Sequence, residues 1–311
     1  MNIFRSTGLF LAGISIFVIV LVFSVVFVTA CKMNKQETAQ TKIILKGSET
    51  ELPLITNFGY EYEEKKTATI SVSGGGSNAG ISELMDGKID IANSSRIITD
   101  EEKNTLAKKN VKWMQAIVSV DAIAIITHPS LHIENISLDQ LSAIFSGKIT
   151  NWIQIGGPYR PINPYGRGPS SGTHDFMKHR LHIDAFRPQM KEFDTYSEIL
   201  NAVKNDSNAI AYVSSSCITQ NVSKASTSVF VMKVFIDNAL DYSPFDEEAI
   251  NTGDYALIRP LFQYYNAANP NPEIKKFIQF EISQRGQGLL KLYGYYRINV
   301  FHKQINSLNG F

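Results

Sequence analysis

The stretch Ser73-Gly74-Gly75-Gly76-Ser77-Asn78-Ala79-Gly80 stands between an apolar, β-branched segment, Ala68 to Val72, and a run around Ile81 to Met85 with helical spacing. The first reads as a strand and the second as part of a helix. Glycines at such a joint permit a tight turn, and a helix start leaves backbone N–H groups without intrahelical partners. The same order of parts occurs at two other places. Gly47-Ser48-Glu49-Thr50 follows a strand predicted over Lys42 to Lys46 and leads into a helix over Pro53 to Glu64. Gly166-Arg167-Gly168-Pro169-Ser170-Ser171-Gly172-Thr173 forms the third joint. Working outward, further strands are predicted at Asp90 to Ala92, Ile210 to Val213, Val229 to Val234 and Tyr255 to Pro260. Val111 to Thr127 is expected to hold two strands. Helices are predicted at Glu101 to Lys109 and Leu138 to Phe145, with a long one within Pro272 to Tyr293. The alternation predicts an α/β architecture with parallel sheets.

Each joint has a plain explanation, since Ser and Thr cap helices and proline is favoured at the first helical position. Recurrence adds a second one. A helix N-terminus offers free N–H donors and the positive end of a dipole, and hydroxyls add donors that also accept. Several such termini meeting at one point would enclose an anion with neutral donors, and Arg167 would add a guanidinium suited to an oxyanion. None of the joints is a nucleotide loop: no window fits G-x-x-x-x-G-K-[ST], and Gly74 to Gly80 is spaced G-x-G-x-x-x-G rather than G-x-G-x-x-G.

The chain has 311 residues and a formal charge of +1, which gives no reason to expect nucleic acid as a partner. An uncharged apolar run from Leu9 to Ala30 follows Arg5 and ends in Val28-Thr29-Ala30-Cys31. That ending resembles a bacterial lipobox, in which Cys31 would be lipidated after cleavage; the other reading is an uncleaved anchor helix. Either places the rest of the chain outside the cytoplasm and tethered to the membrane. Residues 1–31 are thus read as leader or anchor, and the polar residues 32–41 as a linker. Cys217 is then left without a disulfide partner and reads as a small buried hydrophobe.

Residue for residue, the chain after position 42 resembles the phosphate-binding proteins of bacterial ABC-type phosphate importers. The resemblance is carried by Gly47-Ser48 near Pro53, Gly74-Gly75-Gly76-Ser77, Ile91-Ala92-Asn93-Ser94-Ser95-Arg96 and Asp121-Ala122-Ile123-Ala124-Ile125. It continues through Ile144-Phe145-Ser146-Gly147-Lys148-Ile149-Thr150-Asn151-Trp152, Arg167 with Ser171-Gly172-Thr173, Ala209 to Val213, and Arg259-Pro260-Leu261. It implies a two-lobed, periplasmic-binding-protein-like clamp of type II with its ligand in the interlobe cleft. One lobe would hold residues 42–119 and 219–311, the other 120–218. The family's ligand positions fall on Ser48 or Thr50, Ser77, Ser95, Arg167, Ser171, Gly172 and Thr173. The implied ligand is inorganic phosphate or a similar oxyanion, the implied partner a membrane ABC permease, and the implied state a monomer without cofactor.

Two departures bear on specificity. Many members of the family carry Asp where Ser95 stands, as acceptor for the proton of a protonated phosphate. An acid also often stands where Pro169 follows Arg167. Asp121 is a candidate substitute acceptor, or else a structural residue at a hinge. A sulfate-like ligand, a tethered sensor and an adhesion module therefore stay open as alternatives. An enzyme is not expected: Gly75 to Gly80 is too long for G-x-S-x-G, and the adjacent His174 and Asp175 cannot form a relay. Asp175, His179 and His182 share helical spacing, but Lys178 and Arg180 flank them, so a solvated basic helix is read there and no metal. The C-terminal aromatics Phe262, Tyr264, Tyr265, Phe277, Phe280, Tyr293, Tyr295 and Tyr296 read as core.

Overall fold

The computed structural model describes residues 41–64, 68–220, 229–237 and 239–311. The leader, Cys31 and nearly all of the linker lie outside the described residues. No helix among the described residues is long and apolar enough to cross a membrane.

Strand β1 (Thr41–Gly47) lies parallel between β2 (Ala68–Ser73) and β3 (Ile91–Ser94). Helices α1 (Leu52–Glu63) and α2 (Ser77–Met85) leave the ends of β1 and β2, as the glycine joints predict. Helix α3 (Asp100–Lys108) opens with a capping box between Thr99 and Glu102. The next strand departs from expectation. Trp113 to Thr127 is one strand, β4, not two. No Gly or Pro interrupts it, and from Ala116 onward every residue is buried.

β4 joins the two ends of the sheet. Trp113 to Ala122 pair antiparallel with β10 (Ile258–Asn266), which also pairs antiparallel with β3. Ile123 to Thr127 pair antiparallel with β8 (Ala209–Ser214), and Ile125 to Thr127 also pair with β9 (Phe230–Phe235). Beyond β8 come β6 (Asn163–Arg167) and β7 (Lys191–Phe193), both parallel, while β5 (Asn135–Ser137) pairs with β9. The order is β2-β1-β3-β10-β4-β8-β6-β7. The sheet is therefore mixed rather than parallel, because β10 returns between β3 and β4.

Helices α4 (Leu138–Ser146), α5 (Gly172–Arg180) and α6 (Tyr196–Lys204) pack on the second half, followed by α7 (Ser215–Gln220) and α8 (Glu247–Thr252). The long C-terminal helix is broken at Ser283, whose ψ of 164° is extended, into α9 (Glu273–Ile282) and α10 (Gln284–Leu289). Helix α11 (Val300–Leu308) closes the chain. β10 begins later than predicted and runs well past Pro260. The missing N–H of that proline is accommodated beside a bulge between Leu261 and Phe262.

Apolar packing forms a separate core in each half of the sheet. Ile43, Leu45, Leu54, Phe58, Phe277 and Tyr295 share a core in the first half. Ile123, Phe145, Trp152, Met177 and Tyr212 share another in the second. Met232, Val234, Ala249, Ile250 and Tyr255 belong to the second core. The backbone of β9 is bound to β4 and β5. The C-terminal aromatics are core, with Phe262, Tyr264, Tyr265, Phe277 and Tyr295 buried. Cys217 is half-buried and packs beside the cluster of Ala124, Ile126 and Val213.

Candidate functional site

Two of the three joints do not use their hydroxyls as caps. Helix α1 follows Glu51 and α2 follows Gly76, neither with a side-chain cap. Only α5 is capped, by Ser171, whose Oγ accepts from Thr173 N at 3.2 Å. The remaining hydroxyls turn toward one another. Thr50 Oγ1 lies 3.4 Å from Thr173 Oγ1, and the two are 2.8 and 2.7 Å from the Tyr196 hydroxyl. Ser77 Oγ accepts from Ser95 N at 3.1 Å and lies 3.3 Å from Ser95 Oγ. Helix α5 points its start at this pair: a Cβ on Gly172 would overlap Ser77 Oγ and stand 2.6 Å from Ser95 Oγ. Gly47, at φ +140°, brings Ser48 N within 2.9 Å of Asn93 O and so aims its loop at the same place.

Ser48, Thr50, Ser77, Ser95, Arg167, Ser171 and Thr173 are each no more than 3% exposed. Thr50, Ser77, Ser95, Gly172 and Thr173 are thus brought together from four loops, whereas Ser171 is occupied by its cap. The Ser48 hydroxyl is buried at the base of its loop without a hydrogen bond. Arg167 stands one layer back. Its Nε donates to Phe193 O at 3.2 Å, its guanidinium lies 5.0 Å from the Tyr196 ring centre, and its Nη1 is buried without a partner.

The centre of the cluster is Arg259, to which the sequence alone assigns no role. Arg259 Nη2 lies 3.0 Å from both Thr50 Oγ1 and Thr173 Oγ1, and Nη1 lies 3.3 Å from Ser95 O. Arg259 also pairs with Asp121, its cross-strand neighbour on β4, through Nε at 3.1 Å and Nη2 at 2.9 Å. The other Asp121 oxygen accepts from Ser214 Oγ at 2.6 Å. Burial pushes the Asp121 carboxyl up, against the pull of Arg259 and Ser214. Asp121 therefore takes the structural role at the crossing of β4 and β10, and its oxygens are committed. The only sequence signal for Arg259 was its Arg-Pro-Leu motif; Tyr196 had none.

Behind Thr50, Glu51 is wholly buried, and burial holds its carboxyl well above the ordinary carboxylate range, against the nearby Ser48 hydroxyl and Arg259. Arg96, next to Ser95, turns away from the cluster to Glu102, Asn78 and Asp175. That engagement accounts for Asp175. Among the described residues no group of three or more His, Cys, Asp or Glu side chains could hold a metal.

Residues 34–285 match the family model described as a PBP superfamily domain. The chain belongs to the PBP superfamily. It is a two-lobed α/β clamp. Among relatives of this superfamily member, the phosphate-binding protein PstS of Staphylococcus aureus is 29% identical over 247 residues, covering 78% of this chain and 74% of the relative. A Clostridium perfringens structure, described as a phosphate ABC transporter substrate-binding protein with bound phosphate, is 27% identical with a TM-score of 0.73, covering 83% of this chain and 100% of that one. An ABC-type phosphate transport receptor from Vibrio cholerae is 25% identical with a TM-score of 0.66, covering 82% and 100%.

Proposed function

We propose that this chain captures inorganic phosphate outside the cytoplasm and delivers it to an ABC permease in the membrane. One observation carries the reading: the Thr50, Ser77, Ser95 and Thr173 hydroxyls converge with the start of α5 and with Arg259, all buried. A cluster of donors and adaptable hydroxyls held out of water is suited to a small, strongly hydrated oxyanion, because every ligand oxygen can be paired as its water is removed. The relatives named above, with phosphate in their descriptions, support the same ligand.

In this reading one lobe consists of residues 41–119 with 258–311, and the other of 120–257. The anion meets one lobe's hydroxyls and the second lobe closes over it. Support comes from contacts between the lobes outside the cluster: Asn78 Nδ2 donates to Pro169 O at 2.9 Å, and Arg96 Nε lies 3.2 Å from Asp175 Oδ2. Capture and release of this kind require no covalent chemistry. The tether is proposed to be a lipid on Cys31.

Calorimetric titration of the purified full chain with phosphate, with sulfate as competitor, tests the ligand. Saturable phosphate binding is expected, and Arg167→Ala is expected to lower affinity about 10- to 100-fold while leaving the melting temperature near that of the parent. Failure of the parent to bind phosphate would overturn the reading. Cys31→Ser is expected to release the protein from membranes on fractionation; unchanged attachment would favour an uncleaved anchor helix.

A further inference from the structure

We propose that Arg259 is a second anion-binding guanidinium of this site, and that by fixing the direction of the threonine hydroxyls it makes the site select the phosphate dianion over the monoanion. The proposal rests on the phosphate reading above and goes beyond it in naming the residue and the charge state.

The plain alternative is a structural Arg–Asp pair between two strands. Its geometry, however, is not that of a pair alone. Nη2 reaches Thr50 Oγ1 on one lobe and Thr173 Oγ1 on the other at equal distances of 3.0 Å, and the guanidinium lies 5.3 Å from the Phe176 ring centre. A guanidinium only donates. A threonine oxygen that accepts from Arg259 has its own proton left to give. Nη2 has two N–H groups and gives one to Asp121, so the threonine oxygens share the other; with the Tyr196 hydroxyl bonded to both, two of the three hydroxyl protons are spent within the group and one is left as a donor toward whatever lies between the lobes.

Counting acceptors gives the selectivity. Ser95 O is occupied by Arg259 Nη1, and both Asp121 oxygens are occupied by Arg259 and Ser214. Ser171 Oγ is held by the α5 cap. Ser77 Oγ accepts from Ser95 N, and the Ser95 hydroxyl, paired only with Ser77 Oγ, keeps its oxygen available to accept a proton from the ligand. The dianion of phosphate carries one P–OH group and fits such a site. The monoanion carries two and leaves one facing donors, with a cost comparable to a lost buried hydrogen bond. Sulfate carries none and is not rejected on this ground.

The ionisable groups around Arg259 do not supply the missing acceptor. Asp121 on β4 is committed as described, and Glu51 ahead of α1 lies behind Thr50 with its carboxyl pushed up by burial. Tyr196 on α6 contacts the two threonines, and Arg167 lies beyond its ring. On α5, His174 bonds to Asp175 at 3.3 Å, and Asp175 faces Arg96.

The test is calorimetry of the full chain with phosphate and, separately, sulfate from about pH 5 to about pH 8, bracketing the second phosphate ionisation. The parent is expected to gain about tenfold in phosphate affinity per pH unit below that ionisation, with sulfate affinity nearly level. Because Arg259→Gln alone leaves Asp121 buried without its partner, the neutral pair Asp121→Asn/Arg259→Gln is measured beside it, with melting temperatures for both. The pair is expected to lose about 10- to 100-fold in affinity above the ionisation and much less below it, flattening the pH profile. Arg259→Lys is expected to restore only part of the slope. An unchanged slope in the neutral pair, or an equal loss at every pH, would reduce Arg259 to a structural residue and overturn the proposal. A parent that bound sulfate but no phosphate would overturn the phosphate reading alone. The neutral pair would then be judged on sulfate, where retained affinity sinks the role of Arg259.

Discussion

Replacing Glu281 by Gln is expected to make the protein more stable at neutral pH. Glu281 lies on α9 with no exposed surface; one carboxyl oxygen accepts from Gln263 Nε2 at 3.1 Å and the other has no partner. Burial raises its affinity for a proton well above the ordinary carboxylate value, and the nearby Glu51 adds to that. The folded chain therefore keeps protons that the unfolded chain releases above about pH 4.3. Below that pH both states are protonated and nothing is lost. Above it, stability falls by about 1.4 kcal/mol per pH unit for each such group, until the pH passes the raised folded value. Glu51 adds a second contribution of the same sign. Gln carries the same shape without a proton to lose. Urea unfolding at about pH 5, 6 and 7 is expected to give a falling stability for the parent, a shallower fall for either single Gln variant, and the shallowest for the double. A double variant whose stability followed the parent's pH dependence would refute the reasoning, since neither carboxyl could then be bound differently in the two states.

The cluster itself yields two further expectations. Gly172→Ala places a methyl group against the Ser77 and Ser95 hydroxyls and is expected to weaken phosphate binding at least tenfold by calorimetry, and to cost about 1–3 kcal/mol of stability through the overlap. Thr173→Val keeps the shape but removes the oxygen shared by Arg259 and Tyr196, and is expected to cost about 1–3 kcal/mol of affinity; binding equal to the parent would remove Thr173 from the site.

Local pattern was enough to read the loops. Glycine, hydroxyl residues and helix onset lie within a few positions of one another at Gly47, Gly74 and Gly166, so the residues that make each turn also make its chemistry. Even there the sequence left each serine or threonine divided between cap and ligand contact. That choice depended on where the neighbouring loop lay. Ser171 proved to be a cap, while Thr50 and Ser77 face other loops.

The parts that escaped the sequence are long-range. Asp121 and Arg259 are 138 residues apart and meet because β10 inserts antiparallel beside β4 in one register; a slip of one residue would send Arg259 to the other face. Pro260 read as a strand end, when the bulge beside it carries the strand onward. Tyr196 enters the cluster only because α6 packs behind Arg167. The sequence by itself determined an α/β chain with hydroxyl-rich helix starts, because turns and helix onsets are local. Which strands pair and which arginine reaches the threonines were decided by tertiary structure, because sheet register is chosen by the burial of whole faces rather than by any short segment.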